Sequence, residues 1–444
     1  MKMKKIMAVL LSTAMVATLM VGCGSKKSSD DAKGKVYYLN FKPEVAEQWT
    51  KIAKAYTKET GVEVKVETAA SGQYETKLKS EIAKTDAPTM FQINGPVGLE
   101  SWKDYCADLT DSDLYKNLSD QNMAVKKDGK VYGIPYVVEG YGIIYNKAIM
   151  DKYFALSDQK SGIKSTDEIK DFATLKKVAD DMQSKKTELG IKGVFSSTSF
   201  APGEDWRWQT HLANLPVYYE YKDANVSDMK DLTFKYNKEF KNIFDLYLDD
   251  STTKAGLLGS KTVEDSMAEF ALGQSAMVQN GNWGWSQVSG TKGNVVKAED
   301  VKFMPIYTGM PDDAKQGLCI GTENYWCINA KASKADQKAT MDFMNWLTSG
   351  KGKSQMTKLG FISPFKTFTD AEQPDDPLAK EVVSYMNNKD LTSVSWNFTT
   401  FPSQAFKDAF GQNLLKYAQG QMKWNTVVKD MVADWAKEKA AAAE

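Results

Sequence analysis

The side chains best suited to chemistry in this 444-residue chain are two pairs of tryptophans set among polar residues. Trp283 and Trp285 flank Gly284, directly after Asn280-Gly281. Large flat apolar faces in such a loop suit sugar rings, whose C–H faces pack on aromatic π surfaces. The competing reading is core, because tryptophan is well buried on average. The second pair, Trp206 and Trp208, brackets Arg207 within Gly203–His211. Arg207 is the only arginine among 57 basic side chains, so a planar fork of donors is wanted at that place. It is expected to hydrogen-bond sugar hydroxyls or to brace an acid that does, while Trp206 or Trp208 stacks on a ring. A structural ion pair with both rings in the core is the alternative. In a helix, positions 206 and 208 face different ways, so one of the two reaches a ligand.

Other chemistries lack their residues. His211 is the only histidine; beside Thr210 and Leu212 it reads as a packed structural residue. The chain has no Gly-x-Ser-x-Gly elbow, no glycine-rich phosphate loop and no metal-ligand cluster, so no cofactor or metal is expected. Lysine plus arginine balances aspartate plus glutamate at 57 each, against the basic excess of a nucleic-acid binder. A glycoside hydrolase or lyase remains open, since two carboxylates suffice for that chemistry. So does an adhesin that holds polysaccharide without importing it.

The amino terminus has a separate function. Met1–Lys5 is a positive n-region and Ile6–Val21 an apolar h-region, too short and wrongly flanked for a membrane span. Met20-Val-Gly-Cys23 resembles a bacterial lipoprotein signal, which implies removal of residues 1–22 and a lipid on Cys23. Met20 departs from the usual leucine. Losing Lys2, Lys4 and Lys5 leaves a net formal charge of −3. Residues 23–35, rich in Ser, Lys, Asp and Gly, read as a flexible tether. The remaining cysteines are Cys106, Cys319 and Cys327, an odd number; Cys319 and Cys327 could pair across a turn, which spacing alone does not decide.

The elements that must position these residues follow from periodicity. Val36–Leu39 is a short apolar strand, and Pro43 suits a first helical turn. Glu44–Thr60 has helical spacing and closes at Gly61; Val62–Val66 alternates as a strand. Tyr74–Ala83 is helical again and Thr89–Ile93 is a buried strand. That order predicts an α/β fold with a parallel sheet, ligands binding beyond the carboxyl ends of its strands. Asn40, Lys42 and Asn94 then share one rim. Lys42 read alone is a solvated lysine. Asp167–Met182 is a helix capped by Ser165 or Thr166, Ala276–Val278 is a buried strand, and Asn280-Gly281 is a turn at positive φ.

Several stretches together resemble the extracellular solute-binding proteins of ATP-driven sugar importers, the group that includes bacterial maltose-binding protein. They are Ala55–Val66, Tyr-Gly-Ile-Pro-Tyr at 132–136, Ile-Ile-Tyr-Asn-Lys at 143–147, Gly-Gln-Ser-Ala-Met at 273–277, Asn-Gly-Asn-Trp-Gly-Trp at 280–285 and Phe-Met-Asn-Trp-Leu-Thr-Ser at 343–349. Each is weak alone; their order is specific. The resemblance implies two α/β lobes with a cleft between them. Lobe one would span 36–138 and 306–347, lobe two 139–305 and 348–444, with crossings near 135–140, 304–305 and 347–350. It also implies ligand contacts from Glu139, Glu323 and Asn324 and a further aromatic at Trp396, beside Lys42, Asn94, Trp206, Arg207 and Trp283. The expected protein is a monomer, lipid-anchored on the outer face of the cell membrane. It would pass a sugar or oligosaccharide to the permease of an ABC importer.

Overall fold

The computed structural model describes residues 33–70 and 72–441; Cys23, the signal segment 1–22 and most of the expected tether lie outside the described residues. The tether's last position, Lys35, is already the first residue of a strand, its backbone N–H donating to Asp336.

Two sheets carry the fold. The first begins with β1 (Lys35–Asn40), β2 (Glu63–Thr68), β3 (Met90–Asn94), β4 (Val125–Lys127) and β5 (Lys130–Pro135). The second takes β6 (Glu139–Asn146), β7 (Gly193–Phe195), β8 (Ser275–Gly281), β9 (Val301–Met304) and β10 (Gln316–Gly321). The chain then returns to the first sheet with β11 (Asn324–Ile328) and to the second with β12 (Thr392–Ser395). Strand order is β2-β1-β3-β11-β5-β4 in one sheet and β12-β10-β6-β8-β7 in the other, with β9 also on β6. Strands β1, β2 and β3 are parallel as their alternation with helices requires, whereas the pairings β3–β11, β11–β5 and β5–β4 are each antiparallel.

Each sheet has its own core. Trp49, Tyr136 and Trp326 pack on the first, the last two stacked at 4.6 Å. Phe240, Phe244, Trp208 and Trp435 gather on the second. Burying one such side chain contributes roughly 1.5–3 kcal/mol.

The chain passes from β5 to β6 over residues 136–138. The expected boundary at 306 is wrong: Cys319, Ile320 and Gly321 pair with β6, so the return crossing is Thr322-Glu323. The last boundary also moves, because Met356, Phe361 and Phe365 still pack in the first core while Leu378 and Val382 belong to the second lobe. Cys319 and Cys327 consequently lie in different sheets, and both are free and buried, as is Cys106.

Local details differ where tertiary contacts intervene. The helix near 167 is a short 3-10 turn, Thr166–Glu168, followed by Phe172–Ser184 capped by Asp171, whose carboxylate accepts from Thr174 N–H. Gly281 has φ −108 and ends a strand rather than making a positive-φ turn. Glycine is needed there because a Cβ would lie 2.1 Å from the Trp283 ring, which folds back over it.

Candidate functional site

A cavity of about 1460 Å³ lies between the two sheets, lined from both sides. Volumes of about 300–1,000 Å³ hold drug-sized ligands, so this one has room for more.

The first lobe supplies its floor at the ends of β1 and β3. Asn40, fully buried, does not face the cavity; its amide donates to Lys42 O at 2.8 Å and to Thr68 Oγ1, and this shapes the Lys42 loop. Lys42 reaches across to Glu139, the first residue of β6, with Nζ 2.7 and 3.0 Å from the two carboxylate oxygens. Glu44 stands 3.5 Å from the same ammonium, and the Trp283 ring centre 5.6 Å. Burial works against the Lys42 ammonium, but Glu139 and Glu44 outweigh it and hold its pKa above the ordinary range. Burial, helped by the neighbouring Glu44, raises the Glu139 carboxyl despite the pull of Lys42. A carboxylate has about four lone-pair sites, so Glu139 can accept from a ligand while holding Lys42. Asn94, at the end of β3, lines the same floor.

The second lobe supplies an aromatic wall. Residues Arg207–Leu212 form a π-helix, a widened turn frequent at functional sites. Its geometry lets Gln209, Thr210 and His211 all line the cavity together with Trp206. Trp206 lies 6.1 Å from Trp283, ring centre to ring centre, and His211 lies 5.0 and 5.7 Å from the two. Both tryptophans are half-buried. Trp208 faces the core instead, its indole N–H donating to Ser199 O. Trp285 packs beside the core of the second lobe and does not line the cavity. Enclosure among rings drives the His211 imidazole down to about 3, so it is neutral at physiological pH.

Two expected contacts do not reach the cavity. Arg207 is 1% exposed and spends its donors on the protein: Nη1 to Gln279 O at 3.0 Å, Nη2 to Ser199 Oγ at 2.8 Å and to Ser266 Oγ at 2.6 Å. Gln279 returns a bond to Arg207 O. The planar fork is indeed used, but to fasten the π-helix to β8 and to the helix Val263–Ala271 rather than to hold a ligand. Trp396 is buried behind the wall, 5.9 Å from His211 and 6.3 Å from Trp283, where it braces both rings. Gly321 admits it, since a Cβ there would sit 2.5 Å from the indole.

Glu323 and Asn324 line the cavity from the crossing between β10 and β11. Desolvation pushes the Glu323 carboxyl up to about 7, against the pull of Lys407 and Lys42. Sequence reasoning missed Lys407, Asp205, Gln209 and Glu75, which also line it. A signal existed for Lys407: it shares the inward stripe of the helix Gln404–Ala418 with Gly411 and Leu414, at i, i+4 and i+7. Burial lifts Asp205 to about 6. At the rim the lobes touch, Gly72 of the first lying against Gly203 of the second; both have positive φ.

No helix among the described residues is long and apolar enough to cross a membrane, and no group of possible metal ligands occurs among them.

Comparison with known proteins bears on this arrangement. A melibiose/raffinose/stachyose-binding protein of Bacillus subtilis is 30% identical over 151 residues, covering 32% of this chain and 34% of the relative. A maltooligosaccharide ABC transporter solute-binding lipoprotein of Streptococcus pneumoniae is 28% identical over 229 residues, covering 49% and 46%. The chain therefore spans about a third to a half of the length of these relatives. Among solved structures, the fold matches the binding protein RafE in complex with raffinose at TM-score 0.70, with 20% identity over 91% of this chain and 99% of that one. A chitin oligosaccharide binding protein matches at TM-score 0.70, 18% identity, 91% and 98% coverage. The family model for bacterial extracellular solute-binding proteins matches residues 51–381, so the chain belongs to that family.

Proposed function

We propose that this protein captures a sugar or oligosaccharide between its lobes and passes it unchanged to the permease of an ABC importer. The observation that carries the reading is the pairing, across one cavity, of the Trp206–His211–Trp283 wall with the polar floor of Lys42, Glu139 and Asn94. Ring faces bury the apolar C–H surface of a sugar, while charged and amide groups select hydroxyl configuration. The names of the relatives, which concern melibiose, raffinose, stachyose and maltooligosaccharides, support the same class. Contact with both lobes would stabilise the closed form over the open one.

Glu139, Trp206, Trp283, Asn94, Lys42 and Glu323 are the contacts we assign to the ligand. A thermal-shift screen against melibiose, raffinose, stachyose, maltotriose and their monosaccharides tests the reading, because a ligand of the native state raises its Tm. Recovery of the sugar intact separates binding from the hydrolase or lyase alternative. Compaction on binding, seen by small-angle scattering, separates a clamp from a static adhesin. We further assign a lipid to Cys23, tethering a monomer to the outer face of the cell membrane. Cys23→Ser should abolish incorporation of labelled fatty acid and release the protein from membranes.

A further inference from the structure

His211, the only histidine of the chain, lies in the π-helix Arg207–Leu212, is 5% exposed and lines the cavity. Its two ring nitrogens are placed differently. Nδ1 lies 3.2 Å from Trp206 O, five residues back along the widened turn, and 3.2 Å from Thr210 Oγ1. A carbonyl oxygen only accepts. The Thr210 hydroxyl has a single proton, and it donates that proton to the same Trp206 O. Nothing is left to donate to Nδ1, so Nδ1 carries the proton of the neutral ring and gives it to Trp206 O. The other nitrogen, Nε2, is then an acceptor.

Nε2 takes no hydrogen bond from any described residue, and it is not among the fully sealed atoms that lack a partner. Its lone pair therefore opens on the cavity. The Trp396 indole N–H, on a ring 5.9 Å away, does not reach it and stays unpartnered. The Tyr141 hydroxyl, on a ring 4.6 Å away, donates to His211 O instead. Burial, with Lys42, Lys407 and Arg207 acting through space, holds the imidazole at about 3 against the pull of Trp206 O. No second proton turns Nε2 into a donor at neutral pH.

The ring wall thus contains an acceptor with no donor. A carboxylate, carbonyl or ether oxygen placed against it would set lone pair on lone pair, whereas a hydroxyl supplies the missing proton. We propose that His211 is a specificity-determining residue, whose Nε2 accepts the proton of one ligand hydroxyl beside the apolar face that packs on Trp206 and Trp283, so that a ring presenting only an acceptor there is refused. This rests on the sugar-binding reading above.

Because His211 is the only histidine, untagged mature protein labelled with nitrogen-15 gives one imidazole to follow. Long-range proton–nitrogen correlation spectra should show Nδ1 protonated and Nε2 bare in the apo form. Saturation with raffinose or maltotriose, whichever binds, should move the Nε2 resonance towards the protonated range. His211→Phe keeps a ring and removes the acceptor; His211→Gln loses the ring and keeps an acceptor near the place of Nε2. By calorimetry His211→Phe should bind about 5- to 150-fold more weakly than wild type, and His211→Gln should lose less. A role in packing alone predicts the reverse order. A proton on Nε2 in the apo form, an Nε2 resonance unmoved by bound sugar, or a loss in His211→Phe no larger than in His211→Gln overturns the proposal and leaves the carbohydrate reading standing. Should either variant fail to fold, the wild-type resonances decide. Failure of every sugar to bind wild type overturns that reading itself and the proposal with it.

Discussion

Gly72→Ala should weaken ligand binding without contacting the ligand. Gly72 has φ +66, and a Cβ built on it lies 2.8 Å from Gly203 Cα and 2.9 Å from Gly203 O. Both loops line the cavity, one from each lobe. The substitution has two costs that separate cleanly. The left-handed backbone costs an L-residue about 1–2 kcal/mol in open and closed forms alike, so it lowers Tm and leaves affinity untouched. The clash exists only where the loops meet, and overpacking of this kind costs about 1–3 kcal/mol. Charged to the closed form alone, it weakens sugar binding about 5- to 150-fold. Gly190→Ala is the control: φ there is +80 and a Cβ would meet nothing within 4 Å. Calorimetry with the best sugar of the panel, scattering of the apo forms and thermal melts are run on both variants. The reasoning predicts similar Tm losses but an affinity loss and a more open apo form only for Gly72→Ala. Unchanged affinity in Gly72→Ala, or equal loss in Gly190→Ala, refutes it.

Other perturbations test the site piece by piece. Trp283→Ala removes one of the three rings of the wall and should weaken sugar binding by roughly 1.5–3 kcal/mol, about 10- to 150-fold by calorimetry, with the fold retained by circular dichroism. Arg207→Lys strands at least one partner among Gln279 O, Ser199 and Ser266. It should cost about 1–3 kcal/mol in chemical denaturation for each partner stranded. Glu323, with its carboxyl at about 7 in the folded protein and the ordinary glutamate value of 4.5 unfolded, binds protons more tightly when folded. Its contribution is therefore most favourable below about pH 4.5 and is lost as pH rises to about 7. The advantage of Glu323→Gln over wild type in denaturant midpoint should grow across that window; a constant difference would contradict the assignment.

How legible the protein was can be judged from particular elements. The helix ending at Gly61 and the strands beside it were readable because their cause is local: apolar spacing, and a glycine at φ +72 as the stop. The parallel start of the first sheet followed from that alternation. The crossing at Thr322-Glu323 was not readable, because Leu318–Asn329 has the pattern of a hairpin, two apolar runs around a polar turn. Only the partners available to each run, β6 for one and β3 for the other, send them to different sheets.

By itself the sequence determined the α/β class, with two lobes implied by its family resemblance, the aromatic endowment and the conspicuous singularity of Arg207. Tertiary structure alone decided which ring meets the cavity and which the core, and that the arginine fastens a π-helix instead of a ligand. It also decided that an unremarked lysine at 407 lines the cavity without a hydrogen-bond partner among the described residues. The physical reason is that a side chain's type is written locally. Its partner, and therefore whether its hydrogen-bonding capacity is spent or left over, comes from chain segments tens to hundreds of residues away, as with Lys42 and Glu139 or Arg207 and Gln279.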